Sequence, residues 1–374
     1  MRLHRGPAIM VCLALAAAFT SACGESSVNI AASAPLFVLV SRSGDLAVDV
    51  IEQSNFQVAG SIVVGSGAGA ATGAVASVPG RQLLVTYTGV QVGSQLTVTP
   101  DTRVCSLDSS QCGSVWKGWG SATAIPLRDR SVAVPAWNDL DFTKGRLAVF
   151  GGSRIGIQHQ LNLAESVPGP VTVSPDGRYV YWLTYGPVKT NQNAEQVLLR
   201  LDGATGAVLD TVHLGNRLAF GLAVDAGGNL LMSIVFEKAP QRTSGAPPTG
   251  EVSGTTLLVY SADLATSRPL KVSAGPTFVA TGRNVALVAS KASSVSSLGV
   301  YDLASGKSIG TVGIPVGWTV QGVQVVDLAG GRQVGMVELN DQARTHYQLG
   351  VVDLSSASVA WHKFDGASLG SLAA

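Results

Sequence analysis

Charge is scarce in this chain of 374 residues. Only 13% of the residues are Asp, Glu, Lys or Arg, and the formal net charge is +1. A protein that is drawn to nucleic acid or to an anionic membrane surface by its overall electrostatic field carries a clear basic excess. We therefore expect no nucleic-acid partner.

Long apolar runs are missing as well. The longest covers residues 8–19 and is too short to span a bilayer as a helix. It follows a basic segment that contains Arg2 and Arg5. A basic start, a short apolar run and small residues after it are typical of a secretory signal peptide. We assign residues 1–22 to such a signal.

The small residues at positions 20–22 are followed by Cys23, and this pattern resembles a bacterial lipobox. The resemblance implies that Cys23 carries lipid and begins the mature chain, with residues 23–35 as a tether. An ordinary secretory signal that is cleaved nearby is the alternative. We expect a protein that is lipid-anchored to a membrane of the bacterial cell envelope and faces the periplasm or the exterior.

Cysteine is rare too, because only Cys105 and Cys112 remain once Cys12 leaves with the signal and Cys23 is lipidated. These two residues flank a turn, and facing positions across a hairpin meet the geometry of a disulfide. An oxidising compartment would preserve that bond. A redox or metal-binding pair is the alternative, although the spacing is not that of a C-x-x-C motif. We predict a structural disulfide.

What the chain does contain is a tract of about 40 residues that recurs seven times between Leu36 and Phe364. The clearest copy covers residues 171–181 and 199–209, with a Pro-Asp-Gly turn at 175–177. Each copy supplies four short strands, which cannot bury both faces alone. The repeat therefore predicts an all-β fold, a seven-bladed β-propeller of four-stranded antiparallel blades, as a single domain over residues 36–374.

The strands of a blade are labelled A to D from the central axis outward. The first copy lacks its A strand, and the apolar tail at residues 366–372 is predicted to supply it and close the ring. By register, strand D of blade two is predicted at residues 113–118, and strand A of blade three at residues 122–126.

Two stretches carry a resemblance to known families. Residues 173–181 read Val-Ser-Pro-Asp-Gly-Arg-Tyr-Val-Tyr, and residues 300–307 read Val-Tyr-Asp-Leu-Ala-Ser-Gly-Lys. Both resemble the repeats of YVTN-type, lactonase-like propellers, which are WD-repeat-like, and the first is also similar to repeats of TolB-type envelope propellers. The resemblance implies the propeller fold and, through the lactonases, sugar-lactone hydrolysis. No catalytic motif of these families has a counterpart in this sequence.

Patterns for catalysis and metal binding are sparse. Outside the signal, no two histidines have the spacing of a metal site, and no Gly-x-Ser-x-Gly elbow occurs. The predicted A strands contain no His and almost no acid, whereas hydrolysis needs such groups to converge. We expect no metal and no cofactor. A lactonase-like hydrolase that uses the central channel is the less favoured alternative.

Recognition is predicted on one face of the ring. The B–C loops and the D–A links between blades emerge on the same face, and three B–C loops are long, at residues 88–102, 186–195 and 237–255. The residues predicted to bind a partner there are Tyr87, Trp137, Tyr185, Arg217, Phe236 and Trp318. We expect a monomer that binds or scaffolds an envelope protein, peptide or glycan. Packing between blades is the alternative for each aromatic residue.

Overall fold

The predicted seven-bladed β-propeller is confirmed. The computed structural model describes residues 35–66, 72–92, 95–137, 145–163, 169–185, 196–238, 252–292, 295–328 and 331–373. These residues form seven four-stranded antiparallel sheets and one two-stranded hairpin. Within the described ranges, no helix is long and apolar enough to cross a bilayer.

The strands follow one another in chain order, and each blade runs outward from the channel. The first half of the ring contains β1 (Leu36–Arg42), β2 (Asp45–Ile51) and β3 (Val58–Gly65) in blade one; β4 (Gly73–Val78), β5 (Gln82–Tyr87), the hairpin β6 (Val90–Val92) and β7 (Gln95–Val98), β8 (Asp101–Ser106) and β9 (Cys112–Ser114) in blade two; and β10 (Ile125–Pro126), β11 (Val132–Trp137), β12 (Gly145–Gly151) and β13 (Gly156–Leu163) in blade three.

The second half repeats the arrangement more regularly. It contains β14 (Val171–Val173), β15 (Tyr179–Tyr185), β16 (Gln196–Asp202) and β17 (Val208–His213) in blade four; β18 (Leu218–Val224), β19 (Leu230–Lys238), β20 (Val252–Tyr260) and β21 (Ser267–Lys271) in blade five; β22 (Pro276–Thr281), β23 (Val285–Ala292), β24 (Val295–Asp302) and β25 (Ser308–Gly313) in blade six; and β26 (Trp318–Asp327), β27 (Gln333–Asp341), β28 (His346–Asp353) and β29 (Val359–Asp365) in blade seven. The last strand, β30 (Ala367–Ala373), belongs to blade one.

The C-terminal tail closes the ring, as the missing strand of the first repeat predicts. Strand β30 pairs antiparallel with β1, so that Ala373 faces Phe37 and Ala367 faces Ser41. The blade that results contains both ends of the propeller domain. Leu369 is buried in the core of blade one, which explains why the tail is apolar. The propeller is therefore held in a ring by hydrogen bonds between its first and last strands.

A buried carboxylate, paired with arginine within blade one, fastens that blade to blade seven. Asp49 is fully buried on β2 and accepts two hydrogen bonds from the Arg42 guanidinium, at 2.5 Å. The Tyr347 hydroxyl of β28 donates to the same carboxylate at 2.7 Å. Burial, the Asp49 charge and this hydrogen bond raise the pKa of Tyr347 far above its usual range, so that the hydroxyl keeps its proton and remains a donor.

A side-chain amide also joins blade seven to blade one, at the junction that we call the seam. Asn340 on β27 donates from Nδ2 to the backbone oxygen of Ser368 on β30, and its Oδ1 accepts from the Ser368 backbone N–H, both at 2.8 Å. The Ser368 hydroxyl in turn donates to Glu338. Gln196 makes the same pair of bonds to the Ala219 backbone between blades four and five, at 2.7 and 3.0 Å. In both places an amide side chain satisfies backbone groups of the next blade's A strand that no strand pairs.

The predicted disulfide is confirmed. Cys105 on β8 faces Cys112 on β9 in the ladder, with Cα atoms 4.0 Å apart and the two sulfurs bonded at 2.08 Å. Cys105 is fully buried in the core of blade one and blade two. The bond therefore ties the short outer strand of blade two to its neighbour.

Strand D of blade two is shorter than the predicted 113–118, because β9 ends at Ser114. The chain turns there so that Trp116 packs edge-on against Phe150 of blade three and stacks on Trp119, with ring centroids 5.8 and 5.3 Å apart. Arg146 covers Trp119 with its guanidinium 4.4 Å from the ring centroid. These tryptophans fill the space between blades, so packing rather than pairing decides the path of the chain.

Strand A of blade three is also shorter than predicted, since only Ile125 and Pro126 of residues 122–126 pair with β11. Hydrogen-bonding positions alternate along an antiparallel ladder, and the next such position of β11 beyond Ala133 is Pro135. Proline has no N–H to donate to a ladder, so pairing stops. Residues 121–124 then lie along the channel, between this pairing and the single bridge of Gly120 with Trp137.

Candidate binding face and central channel

Five A strands, β14, β18, β22, β26 and β30, border a cavity of about 710 Å³ in the channel. Every blade contributes to its wall, and the D–A links before blades three and four complete it. The residues that line it are Thr72, Thr88, Gly89, Gly120, Ser121, Ala122, Thr123, Ala124, Pro135, Trp137, Gly169, Pro170, Val171, Phe220, Gly221, Leu222, Phe278, Val279, Gln321, Gly322, Val323, Gln324, Leu369 and Gly370. None of these lining residues has an ionisable side chain.

Two phenylalanines form the aromatic part of the wall. Phe220 on β18 and Phe278 on β22 meet edge to face, with ring centroids 5.8 Å apart and ring planes at 85°. Their strands approach closely because position 221 is glycine, where an added Cβ would lie 2.7 Å from the Thr277 backbone oxygen. Phe220 nevertheless remains 50% exposed, which is unusual for an aromatic side chain on an inner strand. The channel therefore offers a bare aromatic surface.

The polar groups of the cavity are few and uncharged. The hydroxyls of Thr72 and Thr88 are hydrogen-bonded to each other at 2.8 Å. The Gln321 amide donates to the Thr319 backbone oxygen at 3.2 Å, whereas no described residue bonds the Gln324 side-chain amide. Each A strand also pairs on one side only, so its second edge turns backbone groups toward the channel.

The inner strands β26 and β30 close the wall at the seam. A Cβ added at Gly322 would lie 2.4 Å from the Gly370 backbone oxygen. Gly370 itself has a φ of +82°, which L side chains rarely adopt. Glycine at these two positions lets the last strand of the chain pass tightly against blade seven.

Among the predicted site residues, Trp137 lies on the cavity. It ends β11, and its backbone N–H donates to the Gly120 backbone oxygen at 3.3 Å. The side chain is half-buried, and the residue lines the wall. Tyr87 ends β5 at the same face, but only 4% of it is exposed. Burial raises the pKa of Tyr87, and Arg103 lies 5.9 Å from its ring centroid. A partner at this face could therefore contact Trp137, whereas Tyr87 is almost completely buried.

Arg217 and Phe236 come together at the rim of blade five. Arg217 is exposed in the D–A link and forms an ion pair with Glu237, with Nε and Oε2 3.2 Å apart. The next residue, Leu218, pairs with Phe236, which is half-buried. A cation, an acid and an aromatic ring therefore adjoin one another on this part of the face.

Trp318 lies at the rim of blade seven, beside a polar cluster. It begins β26 half-buried, opposite Asp341 in the ladder, and the preceding D–A link exposes Val316 completely. The Asp341 carboxylate contacts His346 Nδ1 at 3.0 Å and accepts a bond from the Thr345 hydroxyl at 2.9 Å. Burial would raise the pKa of Asp341, but the hydrogen bonds of His346 and Thr345 outweigh it and lower that pKa below its usual range.

Tyr185 and the long B–C loops, the remaining predicted parts of the binding face, lie next to or within segments that the structure does not describe. Tyr185 ends β15, where its backbone pairs with Gln196. The long loop at 186–195 lies outside the described residues. So does most of the loop at 237–255, of which residues 239–251 are not described. The third loop contains the hairpin of β6 and β7.

The histidines do not gather in the channel. His159, His213 and His362 lie on the outer strands β13, β17 and β29, and His346 begins β28 at the rim. In the part of the chain that the structure describes, no group of three or more His, Cys, Asp and Glu side chains is arranged to hold a metal ion.

Sequence reasoning missed Phe220 and Phe278 as candidate site residues. Their signal was present, since each is a bulky aromatic residue in a predicted A strand, in the innermost layer of the ring. The strand pattern alone does not tell which side chains of an A strand enter the channel and which pack between blades. The two phenylalanines are therefore added to the candidate site.

Comparisons with known proteins support the class of fold. No protein-family model matches the chain, and no curated protein matches it. Among solved structures, the chain is similar to a proposed 6-phosphogluconolactonase from Bacteroides fragilis, at 8% identity over 92% of this chain and 98% of that one, with a TM-score of 0.55. It is also similar to the Synechocystis apocarotenoid oxygenase, at 10% identity over 91% and 92% of the two chains, with a TM-score of 0.59.

A third similar structure is the hydrazine synthase of Kuenenia stuttgartiensis, at 11% identity over 88% of this chain and 94% of that one, with a TM-score of 0.55. These three proteins are named for different chemistries. At such identities the likeness shows the fold alone. The chain is a seven-bladed β-propeller, and its function has to be argued from its own residues.

Proposed function

We propose that this protein is a binding or scaffolding module of the bacterial cell envelope, which recognises a protein, peptide or glycan through the face formed by its B–C loops and D–A links. The observation that carries the proposal is the composition of this face. A cavity whose described lining residues are all uncharged opens among rim residues that combine aromatic rings with an exposed Arg217. Aromatic residues and arginine are the side chains most enriched where partners bind tightly.

A lactonase-like hydrolase is the second candidate, and the fold of the proposed 6-phosphogluconolactonase is what favours it. Hydrolysis of a lactone requires a group that activates water and a group that stabilises the developing charge. Among the residues that the structure describes, those that line the cavity include no His, Asp, Glu or Lys. A hydrolase would therefore need catalytic groups from outside this lining, which makes the binding module the stronger proposal.

Photo-cross-linking in cells tests the binding face. A photoreactive amino acid is placed at Arg217 or at Trp318 on the rim, and at Val208 as the control. Val208 is 55% exposed on β17, an outer strand, so it is as accessible to solvent but lies away from the face. We expect both rim positions to yield the same discrete adduct, while Val208 yields none.

The proposal fails if neither rim position gives an adduct, or if Val208 captures the same partner with similar yield. In either case the face would have no special role in recognition. The melting temperature of each variant is measured alongside, so that a missing adduct is not confused with a loss of folded protein.

The envelope anchor is tested separately, by metabolic labelling with a radioactive or clickable fatty acid. The lipobox-like segment before Cys23 supports lipidation, and two acyl chains or more are needed for stable anchoring. We expect label on the wild type, loss of label in Cys23→Ala, and release of that variant from the membrane fraction. Label that survives the substitution would contradict the assignment of Cys23.

A further inference from the structure

We propose that the central cavity binds an uncharged, largely apolar small molecule that contains a flat ring. This goes beyond recognition of a macromolecule at the rim, because it assigns a second ligand to the interior of the ring. The inference rests on the size of the cavity, on the lack of ionisable side chains among the described residues that line it, and on the exposed aromatic surface of Phe220.

The size of the cavity is right for such a ligand. Pockets for small molecules and cofactors measure about 300–1,000 Å³ and bury most of the ligand, and this cavity measures about 710 Å³. They are also walled mainly by apolar and aromatic side chains with a few polar groups that fix orientation. Apart from the glycines, most of the lining side chains here are apolar, among them Leu222, Val279, Val323 and Leu369.

The residues that line the cavity are the reason that we expect an uncharged ligand. A charged molecule that leaves water needs an opposite charge or several hydrogen bonds in its new surroundings. None of the described residues that line the cavity is ionisable. Against these residues an ion would lose its hydration without compensation, whereas an uncharged molecule would not. We therefore expect the cavity to favour an uncharged ligand.

The two phenylalanines are the reason that we expect an aromatic ring in the ligand. Phe220 meets Phe278 edge to face, remains 50% exposed and lines the cavity. Aromatic rings pair in edge-to-face or offset-stacked geometry, and Phe220 has room for one more such partner. The free Gln324 amide and the unpaired edges of the A strands are available to orient the polar part of the molecule.

The test uses two dyes that share the same aromatic skeleton and differ by one sulfonate group. N-phenyl-1-naphthylamine is uncharged, and 1-anilinonaphthalene-8-sulfonate has nearly the same rings with a sulfonate added. Each is titrated into the purified mature protein, and fluorescence reports binding. We expect saturable binding of the uncharged dye at one site, at least ten-fold tighter than that of the sulfonate.

Two variants locate that site. Phe220→Ala is expected to weaken the uncharged dye at least five-fold, while Val208→Ala, which removes an exposed apolar side chain from an outer strand, leaves binding unchanged. Gln324→Lys places a cation on the cavity wall and is expected to tighten the sulfonate at least five-fold without tightening the uncharged dye. Phe220 is half exposed and Gln324 makes no bond to a described residue, so both variants should keep the melting temperature of the wild type.

Three results would overturn the proposal: no saturable binding of the uncharged dye, equal affinity for both dyes, or equal effects of Phe220→Ala and Val208→Ala. If Phe220→Ala were to unfold, Gln324→Lys alone would decide, because an unchanged affinity for the sulfonate would contradict binding in the cavity. The rim adducts and the dye titrations are independent, so the partner face and the cavity ligand can fail separately.

Discussion

Deletion of residues 366–374 is expected to lower the melting temperature by at least about 10 °C. The deletion removes β30 and leaves β1 with an unpaired inner edge. It also exposes the apolar surface that Leu369 and Leu372 cover, and it leaves the Asn340 amide without the backbone groups that it pairs. Each buried leucine contributes about 2 kcal/mol through its burial alone. An open ring should therefore be far less stable than the closed one.

Thermal unfolding of the truncated protein measures this effect, and a synthetic peptide of residues 366–374 supplies the matched control. Because the peptide binds only the folded ring, excess peptide should restore part of the lost stability by mass action. A peptide in which Leu369 and Leu372 are replaced by Asp should restore none. An unchanged melting temperature after truncation would mean that pairing of β30 with β1 contributes little to the fold.

Much of this ring could be predicted from the sequence, because its turns and strand alternation are local signals. The Pro-Asp-Gly turn at 175–177 and the apolar strand after it define a blade within a few tens of residues. The missing A strand of the first repeat, together with the spare apolar tail, was enough to predict how the ring closes.

What the sequence did not predict depends on contacts between blades. Trp116 ends strand D of blade two early because Phe150, in the next blade, offers it a packing surface. Pro135 shortens the pairing of a neighbouring strand rather than its own, so the effect appears only once the register is known. The cavity also depends on contacts between blades. Phe220 and Phe278 are distant in the chain and meet only because their strands lie side by side.

The second large effect is expected at Asp49. Replacing it by Ala should lower the free energy of unfolding by about 2–3 kcal/mol, because the buried Tyr347 hydroxyl loses its acceptor and the partly exposed Arg42 loses its partner. The Arg42 guanidinium would lose both of its bonds to the carboxylate, and the Tyr347 hydroxyl would be buried without an acceptor. Since Tyr347 belongs to blade seven, the loss falls on the seam between the first and last blades.

Urea denaturation measures the change, and Asp108→Ala is the control. Asp108 pairs with Arg81, and both side chains are more than half exposed, so its removal should cost less than about 1 kcal/mol. The double variant Asp49→Leu with Tyr347→Phe removes the hydroxyl together with its acceptor and should recover part of the loss, because Arg42 is already partly exposed. Equal effects of Asp49→Ala and Asp108→Ala would show that the buried carboxylate contributes no more than an exposed one.

Combining Asp49→Ala with the deletion of residues 366–374 separates two ways of closing the ring. The Asp49 carboxylate joins blade one to blade seven directly, whereas β30 joins them through the ladder with β1 and through Asn340. If both act on one cooperative seam, the free-energy losses should not add, because an interface that the deletion has already opened has little left for Asp49→Ala to weaken. Strict additivity would mean that each link stabilises its own part of the ring, and that the propeller tolerates an open seam.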